Sequence, residues 1–209
     1  MNAKLNDALK DSMNERGRVK MRYKHFTDID SFQPLSQTGL NALPPSIRKR
    51  VEHGRPPRLR TTVRHEKGRS PYVAARIVKV NVANLHIYSP NDPYDLRISI
   101  NVEVNLDRPD LHPDDLIANS TSEKEDVPER RKDRISYNHL AYQIDLTRVD
   151  VGGKDNKQRP IYELEIEVDA NLLREQMAIA EAGRDCAFGD VVAGFWDDAV
   201  LLMRERPGR

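Results

Sequence analysis

Apolar and polar residues take turns along most of this chain. From Arg18 to His25, Val19, Met21 and Tyr23 stand against Arg18, Lys20, Arg22 and Lys24. A period of two specifies a strand, here with one charged face. The same period returns over Arg58–Glu66, Tyr72 to about Asn84, Leu96–Leu106, Arg131–His139, Tyr142–Asp150 and Pro160–Val168. Turn residues punctuate these runs at Lys67-Gly68, at Ser89-Pro90-Asn91-Asp92-Pro93 and at Gly152-Gly153-Lys154-Asp155-Asn156, so consecutive strands are read as hairpin-linked and antiparallel. Helical spacing frames the strands. Leu5, Leu9 and Met13 recur at i, i+4, i+8 over residues 2–14, a short piece is predicted around Ser46–Glu52 behind Pro44-Pro45, and a longer pattern runs from Asn171 through Phe195 and Trp196 to Met203. Gly183, Gly189 and Gly194 are expected to interrupt it. Residues 107–130 are polar, hold three prolines and an acidic patch at Glu123-Lys124-Glu125-Asp126, and are read as a flexible loop. The expected class is α+β, mainly β, with strands up to about residue 171 and a helical extension over 172–209.

Composition narrows the chemistry more than the fold. With 34 Lys+Arg against 33 Asp+Glu the net charge is only +1, so a uniformly basic nucleic-acid coat is excluded and any electrostatic function must come from pattern. One cysteine, Cys186, rules out an internal disulfide framework and a cysteine zinc site. No apolar run approaches the ~20 residues that span a bilayer, and no membrane partner is expected.

The pattern that stands out is in the polar rows of the strands. Glu163, Glu165 and Glu167 share one face, opposite Tyr162, Leu164, Ile166 and Val168. Side chains two residues apart on a strand sit ~7 Å from each other, so three like charges in a row repel. A merely solvated face would intersperse lysines. The compensating cations lie on other segments: Arg58, Arg60 and Arg64 share a face with Thr62 and Glu66, Lys132 and Arg134 with Ser136 and Asn138, while Gln143, Asp145 and Thr147 form a neutral-to-acidic row and Glu103 another. If the sheet curls with these rows inward, acids and bases meet across a wet hollow. Carboxylates there suit a hard divalent metal, and arginine and lysine suit phosphate oxygens.

The same residues carry a family likeness. Glu163-Leu164-Glu165-Ile166-Glu167 resembles the glutamate strand of the fungal-type mRNA-capping RNA 5′-triphosphatases, members of the triphosphate tunnel metalloenzyme group. So do Leu85–Asp95 with its Tyr88-Ser89-Pro90, Lys132-Asp133-Arg134-Ile135-Ser136-Tyr137, Gln143-Ile144-Asp145-Leu146-Thr147-Arg148-Val149, and the opening stretch with Asn2–Leu9, Val19-Lys20-Met21 and Asp30-Ser31-Phe32. The likeness implies an antiparallel tunnel barrel, here about seven of eight strands, over residues 1–171, and usually a homodimer. It implies metal-dependent hydrolysis, with Mg2+ or Mn2+, of the γ-phosphate of 5′-triphosphate RNA. The diphosphate end would pass to an mRNA guanylyltransferase, the capping enzyme alpha subunit, in the nucleus. By the resemblance Glu167 is the metal-binding glutamate, and Glu163 and Glu165 position metal, water or basic residues. Lys132 and Arg134 grip phosphate; Arg60 reaches the γ-phosphate, with Arg58 and Arg64 as alternatives. Glu103 is a tunnel carboxylate that orients water, and Asp145 and Thr147 form the polar row beside the basic pair.

Two departures stand against the family pattern. Gln143 occupies an arginine position, and the family's Glu-x-Glu first strand has no counterpart upstream of residue 18, where only Asp7, Asp11 and Glu15 occur on a helical pattern. One metal-ligand glutamate of three then remains. Since divalent ions are held by several oxygens, the expectation is impaired activity for this chain. The alternative is a non-catalytic module that binds triphosphate or RNA ends, or a scaffold of the capping complex.

Overall fold

The computed structural model describes residues 22–51, 56–118, 129–152 and 159–204. The expected helix over 2–14, the acidic patch at 123–126 and the turn residues 153–156 lie outside them. Seven strands form one antiparallel sheet: β1 (Arg22–Pro34), β2 (Arg58–His65), β3 (Tyr72–Ile87), β4 (Leu96–Asn105), β5 (Arg130–His139), β6 (Tyr142–Val151) and β7 (Ile161–Val168), in the spatial order β4-β3-β2-β1-β5-β6-β7. The result is a mainly β half-barrel whose two edge strands, β4 and β7, are not paired with each other.

Strands β2 and β4 to β7 fall within a residue or two of the alternation. β1 does not. It runs to Pro34, nine residues past the expected end at His25, because its buried row is Phe26, Asp28 and Asp30; two inward acids hide a strand from any reading that equates buried with apolar. β3 runs to Ile87, past Asn84. Its register against β4 slips between Asn81 and Ala83, and such a bulge shifts the alternation by one residue.

One core lies where Leu35, Leu59, Val78, Val80 and Leu106 meet two short helices, α1 (Gln37–Ala42) and α2 (Pro45–Val51). Ser36 caps α1, accepting a hydrogen bond from the Gly39 N–H at 3.0 Å, which satisfies one of the helix's free donors. The described part of the stretch expected as a loop contributes here. Pro113–Leu116 forms a 3₁₀ turn and buries Leu116 completely; residues 119–128 lie outside the described set.

The second core packs Leu202 against Tyr137, Ile144 and Leu146. Leu202 belongs to α4 (Phe188–Arg204), which follows α3 (Ala170–Glu181). The chain breaks between them at Gly183, whose φ of +66° is a left-handed conformation that glycine adopts without strain. Gly189 and Gly194 sit inside α4 and do not interrupt it. Gly194 instead permits close approach: Tyr142 donates from its hydroxyl to the Val191 carbonyl at 2.8 Å, and a Cβ on residue 194 would collide with that hydroxyl. Gly194→Ala is expected to cost about 1–3 kcal/mol of stability, as overpacking does, despite alanine's higher helix propensity. Combined with Tyr142→Phe, which removes the colliding atom, the loss is expected to be less than the sum of the two single losses in urea unfolding. An additive cycle would remove this account.

Candidate phosphate-binding hollow

Directly paired residues in an antiparallel sheet point to the same side, so the register assigns the inner face. β1 offers Asp28 and Asp30, β2 Arg60, Thr62 and Arg64, β5 Arg130, Lys132, Arg134 and Ser136, β6 Gln143, Asp145 and Thr147, and β7 Glu163, Glu165 and Glu167; β3 and β4 add Lys79 and Glu103. The sheet bends these rows toward one another. Lys79 on β3 and Glu167 on β7 line one cleft, and Lys79 and Arg134 both lower the cost of charging Glu167, although four strands lie between β3 and β7 in the sheet order.

Ion pairs organise the face. Lys132 Nζ lies 2.7 Å from Asp30, which also accepts from the Thr62 hydroxyl at 2.7 Å. Burial alone would raise the Asp30 carboxyl. Hydrogen bonds from Lys132 and Thr62 and the charges of Lys132 and Arg60 outweigh it and hold the group below its ordinary value. Arg134 spans three partners: Asp145 at 2.8 Å, the Thr147 hydroxyl at 3.2 Å and Glu165 at 3.6 Å. Asp145 is fully buried and also accepts from Ser136 at 2.6 Å and from Gln143 at 3.1 Å. The Gln143 amide thus serves this carboxylate. On the β2–β4 side Glu103 lies 3.6 Å from Arg60 and 3.3 Å from Lys79, and on the β5–β7 side Arg130 lies 2.9 Å from Glu163.

The three arginines of β2 part company. Arg64 holds Asp28 with two hydrogen bonds, at 2.8 and 2.9 Å, and stacks on Phe26 at 3.9 Å, so its fork is committed. Arg60 keeps a buried Nε with no acceptor and faces the hollow. The residue that sequence reasoning named as metal ligand, Glu167, has no hydrogen-bond or ion-pair partner among the described residues. The protein crowding around it raises its carboxyl above the ordinary value, and the neighbouring Asp145 and Glu165 charges add to the rise. That is an electrostatic deficit a cation would relieve. The fit to a divalent metal is partial. Carboxylate oxygen is the right donor for Mg2+ or Mn2+, but among the described residues no cluster of three acids or histidines with ligand geometry occurs, since Asp145 is taken up by Arg134, Ser136 and Gln143.

Sequence reasoning missed Asp28, Asp30, Lys79 and Arg130. Asp28-x-Asp30 carries the period of a strand and could have been found by allowing acids on a buried row; Lys79 becomes a site residue only because the sheet curls.

Comparisons with known proteins identify the family. The profile of the family described as mRNA capping enzyme, beta chain, matches residues 1–207. This chain belongs to the mRNA capping enzyme beta-chain family. Among its relatives in that family, the mRNA-capping enzyme subunit beta of Schizosaccharomyces pombe is 28% identical over 98% of this chain, and the subunit beta of Candida albicans is 32% identical over 77% of it. The chain spans 58% of the S. pombe protein's length and 26% of the C. albicans protein's. Two solved structures share the fold at 27% identity. S. pombe Pct1 RNA triphosphatase superposes with a TM-score of 0.65 over 97% of this chain and 66% of that one. Pct1 in complex with the Spt5 CTD gives 0.68 over 99% of this chain and 70% of that one. The half-barrel is therefore the triphosphatase tunnel fold of these capping-enzyme relatives.

Proposed function

We propose that the hollow binds the 5′-triphosphate of RNA and that the chain acts in the first step of mRNA capping, release of the γ-phosphate. The observation that carries this reading is the convergence of Arg60, Lys132 and Arg134 with Glu103, Glu163, Glu165 and Glu167 on one concave face of a capping-family chain. Arg60 and Arg134 would turn from Glu103 and Glu165 to phosphate oxygens, Arg134 keeping its orientation through Asp145 and Thr147, and Lys132 would add its charge while Asp30 stays beside it. Glu103, with Glu165 on the opposite wall, would orient a water near the terminal phosphate, and Glu163 would hold Arg130. Glu167 would supply one oxygen to Mg2+ or Mn2+, which contributes charge neutralisation at the phosphoryl group. The diphosphate end would pass to an mRNA guanylyltransferase in the nucleus. The name shared by the capping-enzyme relatives supports that partner, and a homodimer follows from the family likeness.

A second reading is favoured by a specific observation, that Asp145 beside Glu167 is committed to Arg134, Ser136 and Gln143: binding of the triphosphate end without turnover. Phosphate release from triphosphate-ended RNA with manganese separates the two. On the first reading release is expected, and Glu167→Gln is expected to lower it about 100-fold or more, the scale of removing one charge-stabilising group. Binding without release would select the second reading. Release by Glu167→Gln at the parental rate would remove Glu167 from the metal role.

A further inference from the structure

Past Lys79 and Glu103 the inner face of the β3–β4 hairpin changes character. The next row is Asn81 opposite Asn101, then Asn84 opposite Ser99, then His86 opposite Arg97. The four small polar side chains form a connected patch: Asn81 donates to the Asn101 side-chain oxygen at 3.0 Å and to Asn84 at 3.1 Å, and Ser99 donates to Asn84 at 2.7 Å. His86 and Arg97 make no side-chain hydrogen bond or ion pair among the described residues. All six line a cleft of about 950 Å³ shared with Glu163, Glu165, Glu167 and Tyr94; its other wall is apolar, from Leu164 and Ile166 on the outer face of β7 and Phe195 and Leu202 on α4.

We infer that this patch is the subsite for the RNA chain behind the triphosphate. The inference rests on the reading that the charged part of the hollow takes the triphosphate, and it assigns the adjoining uncharged part to the first nucleosides. The chemistry changes in the order the substrate does. A triphosphate is densely anionic and meets paired acids and bases. The nucleoside behind it is neutral, with ribose hydroxyls and base edges that need donors and acceptors without net charge, which asparagine amides and a serine hydroxyl supply. The next phosphodiester carries one negative charge and meets Arg97, a fork suited to phosphate oxygens. The exposed ring of Tyr94 offers a face on which a base can stack. From Lys79 to His86 the strand extends roughly 20 Å at ~3.3 Å per residue, room for more than one nucleotide.

The test compares two ligands on the full chain. A fluorescent oligoribonucleotide with a 5′-triphosphate end is titrated by anisotropy, and inorganic tripolyphosphate is measured as its competitor. Arg97→Ala and the Asn84→Ala, Asn101→Ala double variant change exposed or half-exposed positions, and circular dichroism checks that they fold. Each is expected to weaken RNA binding about tenfold while leaving tripolyphosphate competition unchanged, a difference of one decade in affinity. For Arg97→Ala the slope of log affinity against log salt is also expected to fall by about 0.7, the value for one contact to a single strand. Arg97→Lys should restore part of the slope. Unchanged RNA binding in both variants, or equal losses for RNA and tripolyphosphate, would overturn the subsite. If the parental chain binds neither ligand, the triphosphate reading itself fails and the subsite falls with it.

Discussion

Asp30→Ala is expected to lower the unfolding free energy by about 3–5 kcal/mol, the cost of leaving one member of a buried ion pair without its partner. Asp30 is 2% exposed and Lys132 8%, and Lys132 Nζ sits 2.7 Å from the carboxylate. With Asp30 gone the ammonium keeps its desolvation cost and loses both its counter-charge and its acceptor. Thr62 loses its acceptor as well, since its hydroxyl donates to the same carboxylate. The second change that isolates the cause is Lys132→Met. Added to Asp30→Ala it removes the stranded charge and is expected to recover most of the loss, because a well-packed apolar replacement of a buried pair is often close to neutral. Urea unfolding of the two single variants and the double provides the cycle. A loss no larger in Asp30→Ala than in the double would show that the ion pair does not govern stability here.

The sign of the pH dependence follows from the same residue. Its folded-state carboxyl is held below its ordinary value of 3.8, so the native state favours the ionised form more than the unfolded chain does. That stabilisation is fully present above the ordinary value and is lost as the pH falls through the lower, folded one. Asp30→Asn should flatten the stability profile below about pH 4; an acid limb as steep as that of the parental chain would contradict the assignment.

Arg134→Ala is expected to have the largest effect on function, a fall of about 100- to 1000-fold in phosphate release from triphosphate-ended RNA, the range seen when one donor to a developing charge is removed. Three partners on β6 and β7, Asp145, Thr147 and Glu165, fix the guanidinium against the wall it shares with Glu167. Arg134→Lys should restore little, because one ammonium cannot reproduce the planar fork. Removing Arg134 also leaves the fully buried Asp145 with neutral partners only, so the rates belong at a temperature where urea unfolding finds each variant folded. Parental turnover in folded Arg134→Ala would end its role as a phosphate grip. On the reading without turnover, the same variant should lose tripolyphosphate affinity while the RNA subsite variants keep it.

Much of this protein was legible in its sequence because alternation is a local property. Strands β5, β6 and β7 follow from which residues are apolar, and their polar rows, including Lys132, Arg134, Asp145, Glu163, Glu165 and Glu167, follow from the same period of two. The unusual content of those rows, three glutamates on one strand and the cations on others, already argued for a shared hollow. What the chain order could not supply was curvature and depth. β1 reads poorly because Asp28 and Asp30 are inside, and an acid is stable inside only when a partner from a distant segment reaches it; Arg64 and Lys132 come from strands that pair with β1 on either side. That Arg64 is committed elsewhere likewise waited on β1, whose Asp28 and Phe26 take it up. The change from charged to amide chemistry along β3 and β4 emerged only when the bulge between Asn81 and Ala83 kept Asn84 and His86 on the inner face. Periodicity in sequence fixes which residues share a face, because the backbone alternates regardless of context. Which faces turn inward, and which charges neutralise one another there, depends on strand order, twist and pairing across the sheet, and those are decided only when the whole chain packs.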